Sequence, residues 1–321
     1  MSDRLGILLM TYGSPTDTGD VARYLRAVRG GRDADPELLA EFQRRYAVIG
    51  GSPLIPLTVR QAAALEAALG DGSRVLAAMR FSEPSITGAL ATLADEGIAR
   101  VVGVILSPQY SPLLMGGYER DVTIARAGIG GDAPLVTLAG AWHTQPAFIA
   151  ALAARIRDTL ATFPLDEQAT APVLLTAHSL PLRVANQEPD YLAQLEQTAV
   201  SVAAAAGIDR SRWTFCWQSA GHEPGDWMQP DFADLMPRLA AGHRSVVVAP
   251  VQFLSDHLET LYDVDIGARE QAQEHGLRFV RIAALNDDPG LIAALAAVVR
   301  STAATLPPVA RQLESVSPAR R

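Results

Sequence analysis

Residues 245–265 read SVVVAPVQFLSDHLETLYDVD, and this stretch decides the predicted fold. Its first part, 245–251, is a short run of β-branched residues without polar alternation, which is typical of a strand buried on both faces of a parallel sheet. Its second part, from Asp256, repeats apolar residues at helical spacing. A buried strand that turns at a proline and continues into a helix is the βα unit of an α/β protein.

The same pattern recurs along the chain. Other predicted strands lie at 5–11, 74–79, 101–107, 135–138, 173–177, 213–216 and 278–282, and predicted helices at 36–46, 84–96, 146–160, 190–206, 256–274 and 289–303. Asp35 and Pro36 form a capping residue followed by proline at the first helical position, and Gly50 and Gly51 end that region. The sequence therefore predicts an α/β fold of parallel sheets flanked by helices.

The two halves of the chain also resemble each other. GILLMTYGSP (6–15) and VVGVILSPQYSP (101–112) in the first half correspond to VLLTAHSLP (173–181) and SVVVAPVQFLSDH (245–257) in the second. Any two βα domains can share such strand endings by chance, and the prediction of two domains holds in either case. We predict similar Rossmann-like domains at 1–145 and 146–305, followed by a loose, proline-broken tail at 306–321.

Composition excludes several classes of protein. The 321 residues suffice for about two domains, and the net charge of −8 without any Lys/Arg-rich run argues against nucleic acid as a partner. No apolar run is long enough to span a bilayer and no signal peptide is evident, so we predict a cytoplasmic protein without a transmembrane segment. The single cysteine, Cys216, excludes an internal disulfide and a four-cysteine zinc or iron–sulfur site within one chain.

Polar side chains follow several predicted strands, at the edge where open parallel sheets bind ligands. Tyr12 follows the first strand, Gln109 and Tyr110 follow the third, and His178 follows the fifth. Two domains whose carboxyl edges face each other would form one cleft. His178 has two interpretations: it either satisfies a loop carbonyl, or it acts as a proton acceptor and ligand of a transition metal.

The helix predicted from residue 256 carries carboxylates on one face. Asp256, Glu259 and Asp263 stand at i, i+3 and i+7. The spacing of Asp256 and Glu259 also fits a capping box, which would explain both residues as the start of a helix. Asp263 is not needed for a cap, and a row of like charges is unfavourable unless a cation or water offsets it. The apolar stripe of this helix comprises Leu254, Leu258, Leu261 and Tyr262.

Six segments together resemble the successive signatures of ferrochelatases, in that family's order and spacing. They are LLMTYGSP, RRYAVIGGSPL, LSPQYSP, TAHSLP, WQSAGHEPGDW and PVQFLSDHLETLYDVD, and the resemblance runs from about residue 6 to residue 299. The most specific part is TAHSLP followed by the SDHLETLYD helix. The resemblance implies two Rossmann-like domains of the chelatase type, with a porphyrin in the cleft between them and no dinucleotide.

The resemblance also implies roles for individual residues. His178 matches the family's active-site histidine and Glu259 its partner carboxylate, and both are expected to be catalytic and to contact the metal. Tyr12 matches a tyrosine on the other face of the macrocycle, an axial ligand of the product iron. His257 and Asp263 are expected along the path by which iron enters. Metal enters a porphyrin only when the ring is bent and two pyrrole protons leave, and His178 is the natural acceptor.

The resemblance leaves two porphyrins open. Ser52, Tyr118 and two arginines resemble propionate-contacting positions of the soluble coproporphyrin ferrochelatases, although exposed arginines commonly contact only water. In the other direction, Gln252 stands where coproporphyrin relatives usually carry glycine, and the ETLYDVDI continuation resembles protoporphyrin enzymes. We predict coproporphyrin III as substrate and coproheme as product, with protoporphyrin IX and protohaem as the alternative. The predicted arginine contacts are Arg29, Arg45 and, as a further candidate, Arg80.

Two other functions fit parts of the sequence. A cobalt chelatase also uses a histidine and carboxylates at its site, but it tends to carry extra histidines there. A porphyrin or haem carrier needs an axial ligand such as Tyr12 but no proton acceptor. The remaining histidines, His143, His222, His243 and His275, lie outside the two motifs. Expected partners are porphyrin, ferrous iron and, transiently, enzymes that supply the porphyrin or accept the haem. We expect a monomer with no cofactor beyond substrate Fe(II) and no iron–sulfur cluster.

Overall fold

The computed structural model describes residues 2–221 and 225–307, and within them eight strands form two four-stranded parallel sheets. The first sheet has the order β2-β1-β3-β4 and the second the order β6-β5-β7-β8, so the two halves share one topology. The predicted fold class is confirmed. The strands are β1 (Ser2–Thr11), β2 (Arg74–Met79), β3 (Ile98–Ile105), β4 (Leu135–Leu138), β5 (Val173–His178), β6 (Trp213–Gln218), β7 (Ser245–Pro250) and β8 (Arg278–Arg281).

Helices cover both faces of the sheets. The sequence patterns anticipated α2, α4, α6, α9 and α12 but missed α1, α3, α5 and α10. The described α-helices are α1 (Val21–Val28), α2 (Pro36–Val48), α3 (Leu54–Leu69), α4 (Ile86–Asp95), α5 (Pro112–Ile129), α6 (Pro146–Ala161), α7 (Leu165–Gln168), α8 (Leu182–Ala185), α9 (Pro189–Ala206), α10 (Phe232–Ala240), α11 (Arg269–Glu274) and α12 (Pro289–Ala303). None of them is both long and apolar enough to cross a membrane.

The two halves share a hydrophobic core. Ile7 and Leu65 from the first half belong to the same buried cluster as Val173 and Leu295 from the second. Helix α12 packs on α3 as well as α6, because its apolar residues cover more than one face. Leu306, the first residue of the predicted tail, is buried in this cluster, and residues 308–321 lie outside the described part of the chain. The boundaries at 145 and 305 stay predictions.

The segment from residue 256 differs from its prediction. The structure has a π-helix over Glu259–Ala268, which continues into α11, rather than one α-helix from Asp256. The predicted capping box is wrong: the Asp256 carboxylate accepts hydrogen bonds from Arg281 at 3.0 Å and from Asn286 at 2.9 Å. The residue before the helix, Leu258, makes no side-chain cap. Glu259 is thereby released from a capping role, and π-helical segments frequently occur at functional sites.

Candidate active site

A cavity of about 520 Å³ lies at the carboxyl ends of the strands, within the size range of small-molecule sites. In each sheet the strand order reverses between the two central strands, which is the point where open α/β sheets bind ligands. Thr11 and Tyr12 after β1 and Leu106 and Ser107 after β3 line the cavity from the first sheet. The segment 252–255 after β7 lines it from the second. The predicted cleft between the halves is therefore present.

Most of the cavity wall is apolar. Tyr12 is 43% exposed and packs edge-on against Phe81, with ring centroids 4.7 Å apart. Burial raises the pKa of the Tyr12 phenol, while the positive charge of Arg80 acts in the opposite direction. Ser52 and Tyr118, both predicted to contact substrate, do line the cavity. The other apolar and aromatic lining residues are Tyr24, Leu25, Val28, Phe42, Leu54, Ile105, Leu106, Leu114, Met115, Phe253 and Leu254.

His178 ends β5 with one ring nitrogen committed and the other free to react. Its Nδ1 lies 2.5 Å from the carbonyl oxygen of Ser179, and because a carbonyl only accepts, Nδ1 carries the proton. The Nε2 atom, 3.6 Å from Oε1 of Glu259, therefore holds the lone pair of the neutral ring. The first interpretation is confirmed, because one ring nitrogen satisfies a loop carbonyl. The role of His178 as proton acceptor and metal ligand stays a prediction.

Glu259 lies between two imidazoles. The Nε2 of His257 is 3.5 Å from its Oε2, and the Nδ1 of His257 donates to the carbonyl of Ser255 at 2.8 Å. Burial alone would raise the pKa of Glu259, but the interactions with the two imidazoles, His178 and His257, in their protonated form outweigh burial and lower that pKa to about 2. For His257, burial works against protonation, yet the Glu259 carboxylate raises its pKa above the usual value. Glu259 is consequently a carboxylate throughout the physiological pH range.

Asp263 follows Glu259 by four residues in the π-helix and faces Arg45. Its Oδ1 lies 3.4 Å from Nη1 of Arg45, and its side chain is 21% exposed. Burial raises the pKa of Asp263, and the negative charge of Glu259 adds to this effect. Two neighbouring carboxylates, one strongly ionised and one less so, form a short acidic row that leads to His178. Asp256 is outside this row because Arg281 and Asn286 hold it.

The three arginines that were predicted to contact substrate, Arg29, Arg45 and Arg80, differ in the partners that they have within the protein. Arg45 pairs with Glu41 at 2.7 Å and with Asp263, and its guanidinium lies 5.0 Å from the ring centroid of Tyr262. None of the three arginines is among the cavity-lining residues. Arg29 follows α1, and its Nε is buried without a hydrogen-bond partner among the described residues. Of the three arginines, Arg29 is therefore the one whose guanidinium has no ion pair with an acidic side chain among the described residues.

Arg80 lies against α5 close to the Tyr12 wall. It pairs with Asp121 at 2.8 Å, and its guanidinium lies 4.6 Å from the ring centroid of Phe81 and 5.1 Å from that of Tyr118. Gly117 makes this close approach possible, since a Cβ at that position would lie 2.2 Å from the guanidinium carbon. The arginine supports the aromatic wall through these contacts.

Of the histidines outside the motifs, the three that the structure describes do not line the cavity. His143 bonds to Gln197 through Nε2 at 2.9 Å, while His243 is exposed after α10 and His275 caps α11. His222 lies outside the described residues. Across residues 2–221 and 225–307, no three His, Cys, Asp or Glu side chains are grouped so that they could hold one metal ion.

Sequence reasoning noticed Gln252 only as a departure from relatives and did not single out Tyr191. In the structure, Gln252 accepts a hydrogen bond from the main-chain N–H of His178 at 2.8 Å, and its amide contacts the Tyr191 hydroxyl. The available signal was position, because Gln252 directly follows a central strand beside the one that carries His178.

The fold is similar to that of solved chelatase structures. The structure of SirB from Bacillus subtilis with Fe3+ superimposes with a TM-score of 0.59 at 13% identity, covering 94% of this chain and 96% of that chain. At this identity the likeness establishes the fold, a pair of parallel sheets with a shared cleft.

The sequence identifies the family. The ferrochelatase family model matches residues 4–303. The ferrochelatase of Deinococcus radiodurans is 38% identical over 305 residues, covering 94% of this chain and 96% of the relative, and the coproporphyrin III ferrochelatase of Geobacillus kaustophilus is 36% identical over 302 residues, covering 92% and 94%. The chain belongs to the ferrochelatase family and is an enzyme of the metal chelatase class. The family predicted from the six signature segments is confirmed.

Proposed function

We propose that this enzyme inserts Fe(II) into coproporphyrin III to give coproheme, a step of haem biosynthesis, with His178 as proton acceptor and Glu259 as the carboxylate on the iron side. One observation carries the proposal: Nε2 of His178 is unprotonated in the neutral ring and lies 3.6 Å from a carboxylate at the edge of an apolar cavity. That combination provides a base and a metal ligand at one point.

The proton transfer follows from the two pKa environments. A porphyrin must lose both pyrrole protons before a divalent ion occupies its centre. Glu259, with a pKa of about 2, does not compete for these protons, whereas its negative charge stabilises the imidazolium that His178 becomes. His178 accepts at Nε2 and keeps its orientation through the bond from Nδ1 to the Ser179 carbonyl. Each proton then passes to solvent at the partly exposed edge of the site.

Iron is the second substrate, and the acidic row accounts for its delivery. Oxygen donors of Asp263 and Glu259 and the imidazole of His257 suit a hydrated ferrous ion that exchanges water for protein ligands in steps. Tyr12 from the first half and Glu259 from the second half both line the cavity, and His178 lies 3.6 Å from Glu259, so a macrocycle in the cavity would be near all three groups. In this proposal Tyr12 binds the product iron axially.

The choice of coproporphyrin III rests on the relatives and on Arg29. Coproporphyrin III ferrochelatases of several bacteria are 33–36% identical to this chain. The buried Nε of Arg29 has no partner among the described residues, which suits a guanidinium that receives a propionate. Protoporphyrin IX is the second candidate, because Arg45 and Arg80 are already neutralised by acidic partners and leave less positive charge for four propionates.

We also propose that the enzyme uses no iron–sulfur cluster. Cys216 is the one cysteine of the sequence, and it is fully buried on β6. A cluster needs several thiolates, so a single chain does not supply its ligands.

The test is a comparison of the two porphyrins under anaerobic conditions, with purified enzyme and Fe(II), by the absorbance of the product haem. We expect catalytic turnover, with a kcat/KM for coproporphyrin III about tenfold higher than that for protoporphyrin IX. One additional charge-assisted hydrogen bond to the substrate would account for a difference of this size. A higher kcat/KM for protoporphyrin IX would assign the other substrate. Binding of porphyrin without any turnover would indicate a carrier, and insertion of Co(II) but not Fe(II) would indicate a cobalt chelatase.

A further inference from the structure

Gln252 lies at the point where the two central strands of the second sheet separate. Strands β5 and β7 pair up to Thr176 and Pro250, and the last bond of their ladder runs from the N–H of Val251 to the carbonyl of Thr176 at 2.9 Å. Beyond it the chain leaves the sheet and residues 252–255 form the cavity wall. His178, at the end of β5, pairs with Gln218 of β6 on one side but lies beyond the last pair of the β5–β7 ladder on the other.

The side chain of Gln252 bridges this gap. The main-chain N–H of His178 donates to Oε1 of Gln252 at 2.8 Å, and Nε2 of Gln252 donates to the hydroxyl of Tyr191 at 2.5 Å. Because a main-chain N–H only donates, the amide orientation follows from the contact itself. Tyr191 is 1% exposed on α9 and packs against Ala177 and Trp217, so it is a firm anchor.

His178 is consequently fixed at two points. The Ser179 carbonyl fixes its ring, and Gln252 fixes its main chain. Ser179 is itself held by a bond from its N–H to the carbonyl of Gln218 at 2.7 Å. Without the Gln252 carbonyl, the His178 N–H would have to find water or shift, and the distance from Nε2 to Glu259 would change with it.

We propose that Gln252 is a positioning residue for metal insertion, which holds the main chain of His178 so that Nε2 stays aimed at the cavity beside Glu259. This inference rests on the proposed role of His178 as proton acceptor. Gln252 works through His178 and takes no proton, so its loss should affect the chemical step more than the binding of either substrate. Misplacement of a reacting group by about 1 Å can cost on the order of 10²-fold in rate.

Two substitutions separate positioning from mere packing. Gln252→Met keeps the length and volume of the side chain and removes both hydrogen bonds. Gln252→Glu keeps an acceptor for the His178 N–H, and its second oxygen can accept from the Tyr191 hydroxyl. The matched control is Gln168→Met, which removes an amide that donates to the Phe163 carbonyl at 2.9 Å, near the opposite end of β5.

The assay is steady-state Fe(II) insertion across pH, with thermal unfolding of each variant. We expect Gln252→Met to lower kcat about tenfold with both KM values unchanged, an effect smaller than the full cost of misplacement because the ring contact to Ser179 remains. Gln252→Glu should recover most of kcat, because it restores an acceptor for the His178 N–H. Gln168→Met should behave as wild type.

The result that overturns the inference is a Gln252→Met enzyme with wild-type kcat, or one in which the porphyrin KM rises while kcat is unchanged, because the latter would make Gln252 a substrate contact. A Gln252→Glu enzyme whose kcat is no higher than that of Gln252→Met would equally contradict it. If wild-type enzyme inserts no iron into either porphyrin, the proposed function fails instead, so the two failures are distinguishable.

Discussion

Replacing Glu259 with glutamine should lower the pKa of His257, and this prediction probes the electrostatics of the site directly. In the wild type the Glu259 carboxylate, 3.5 Å from Nε2 of His257, holds that pKa above 6.5 against the effect of burial. An opposite charge at this range shifts a pKa by about 1–3 pH units. Glu259 is 34% exposed, so solvent screens the pair and we expect a decrease in the lower part of that range.

The measurement is a pH titration of the imidazole resonances by two-dimensional NMR in wild type and Glu259→Gln. Glutamine keeps the shape of the side chain and removes the charge, so burial should then bring the His257 pKa below its ordinary value. His243 is exposed and remote, and provides an internal reference in the same spectra. An unmoved His257 midpoint in the variant would refute the arrangement of Glu259 between two imidazoles.

Three further outcomes follow from the same geometry. Since the folded-state pKa of Glu259 is about 2 and its ordinary value is 4.5, its stabilising effect is complete above pH 4.5 and lost as the pH falls towards 2. The difference in unfolding free energy between wild type and Glu259→Gln, from urea unfolding, should therefore narrow from pH 6 to pH 3; a constant difference would contradict this. Arg29→Met should raise the KM for coproporphyrin III about tenfold, while Arg157→Met, which removes an exposed guanidinium bonded to the Ala205 carbonyl, should not. Asp263→Asn should raise the KM for Fe(II) about tenfold with porphyrin affinity intact, and an unchanged iron KM would restrict the acidic row to Glu259.

Sequence patterns located strands β2 and β4 and helix α12 with the bounds that the structure shows. β2 is mostly buried and apolar, and α12 starts at a cap and proline, Asp288 and Pro289, whereas β4 was located although it is only partly buried. Helix α1 escaped prediction because it has only eight residues, of which two arginines obscure a short apolar face. Helix α5 was missed although Ser111 caps it and Pro112 opens it.

The sequence predicted which residues belong to the candidate site but not their hydrogen-bond and ion-pair partners. The position of His178 and Glu259 after central strands, together with the family signatures, indicated the pair. The π-helix was not predictable, because D-x-x-E spacing favours a capping box and only the contacts of Asp256 with Arg281 and Asn286 remove it. The partners of Arg45 and Arg80 were equally hidden, since Asp263 and Asp121 are distant from them along the chain.

The central claim is that His178 accepts the pyrrole protons. The most direct measurement is the rate of single-turnover Fe(II) insertion by His178→Ala. The porphyrin affinity of the same variant is measured in parallel, by fluorescence quenching. The account predicts that insertion falls by at least about 10²-fold, the contribution of a positioned general base, while porphyrin affinity stays within a factor of about two. Insertion at the wild-type rate by His178→Ala would contradict the account.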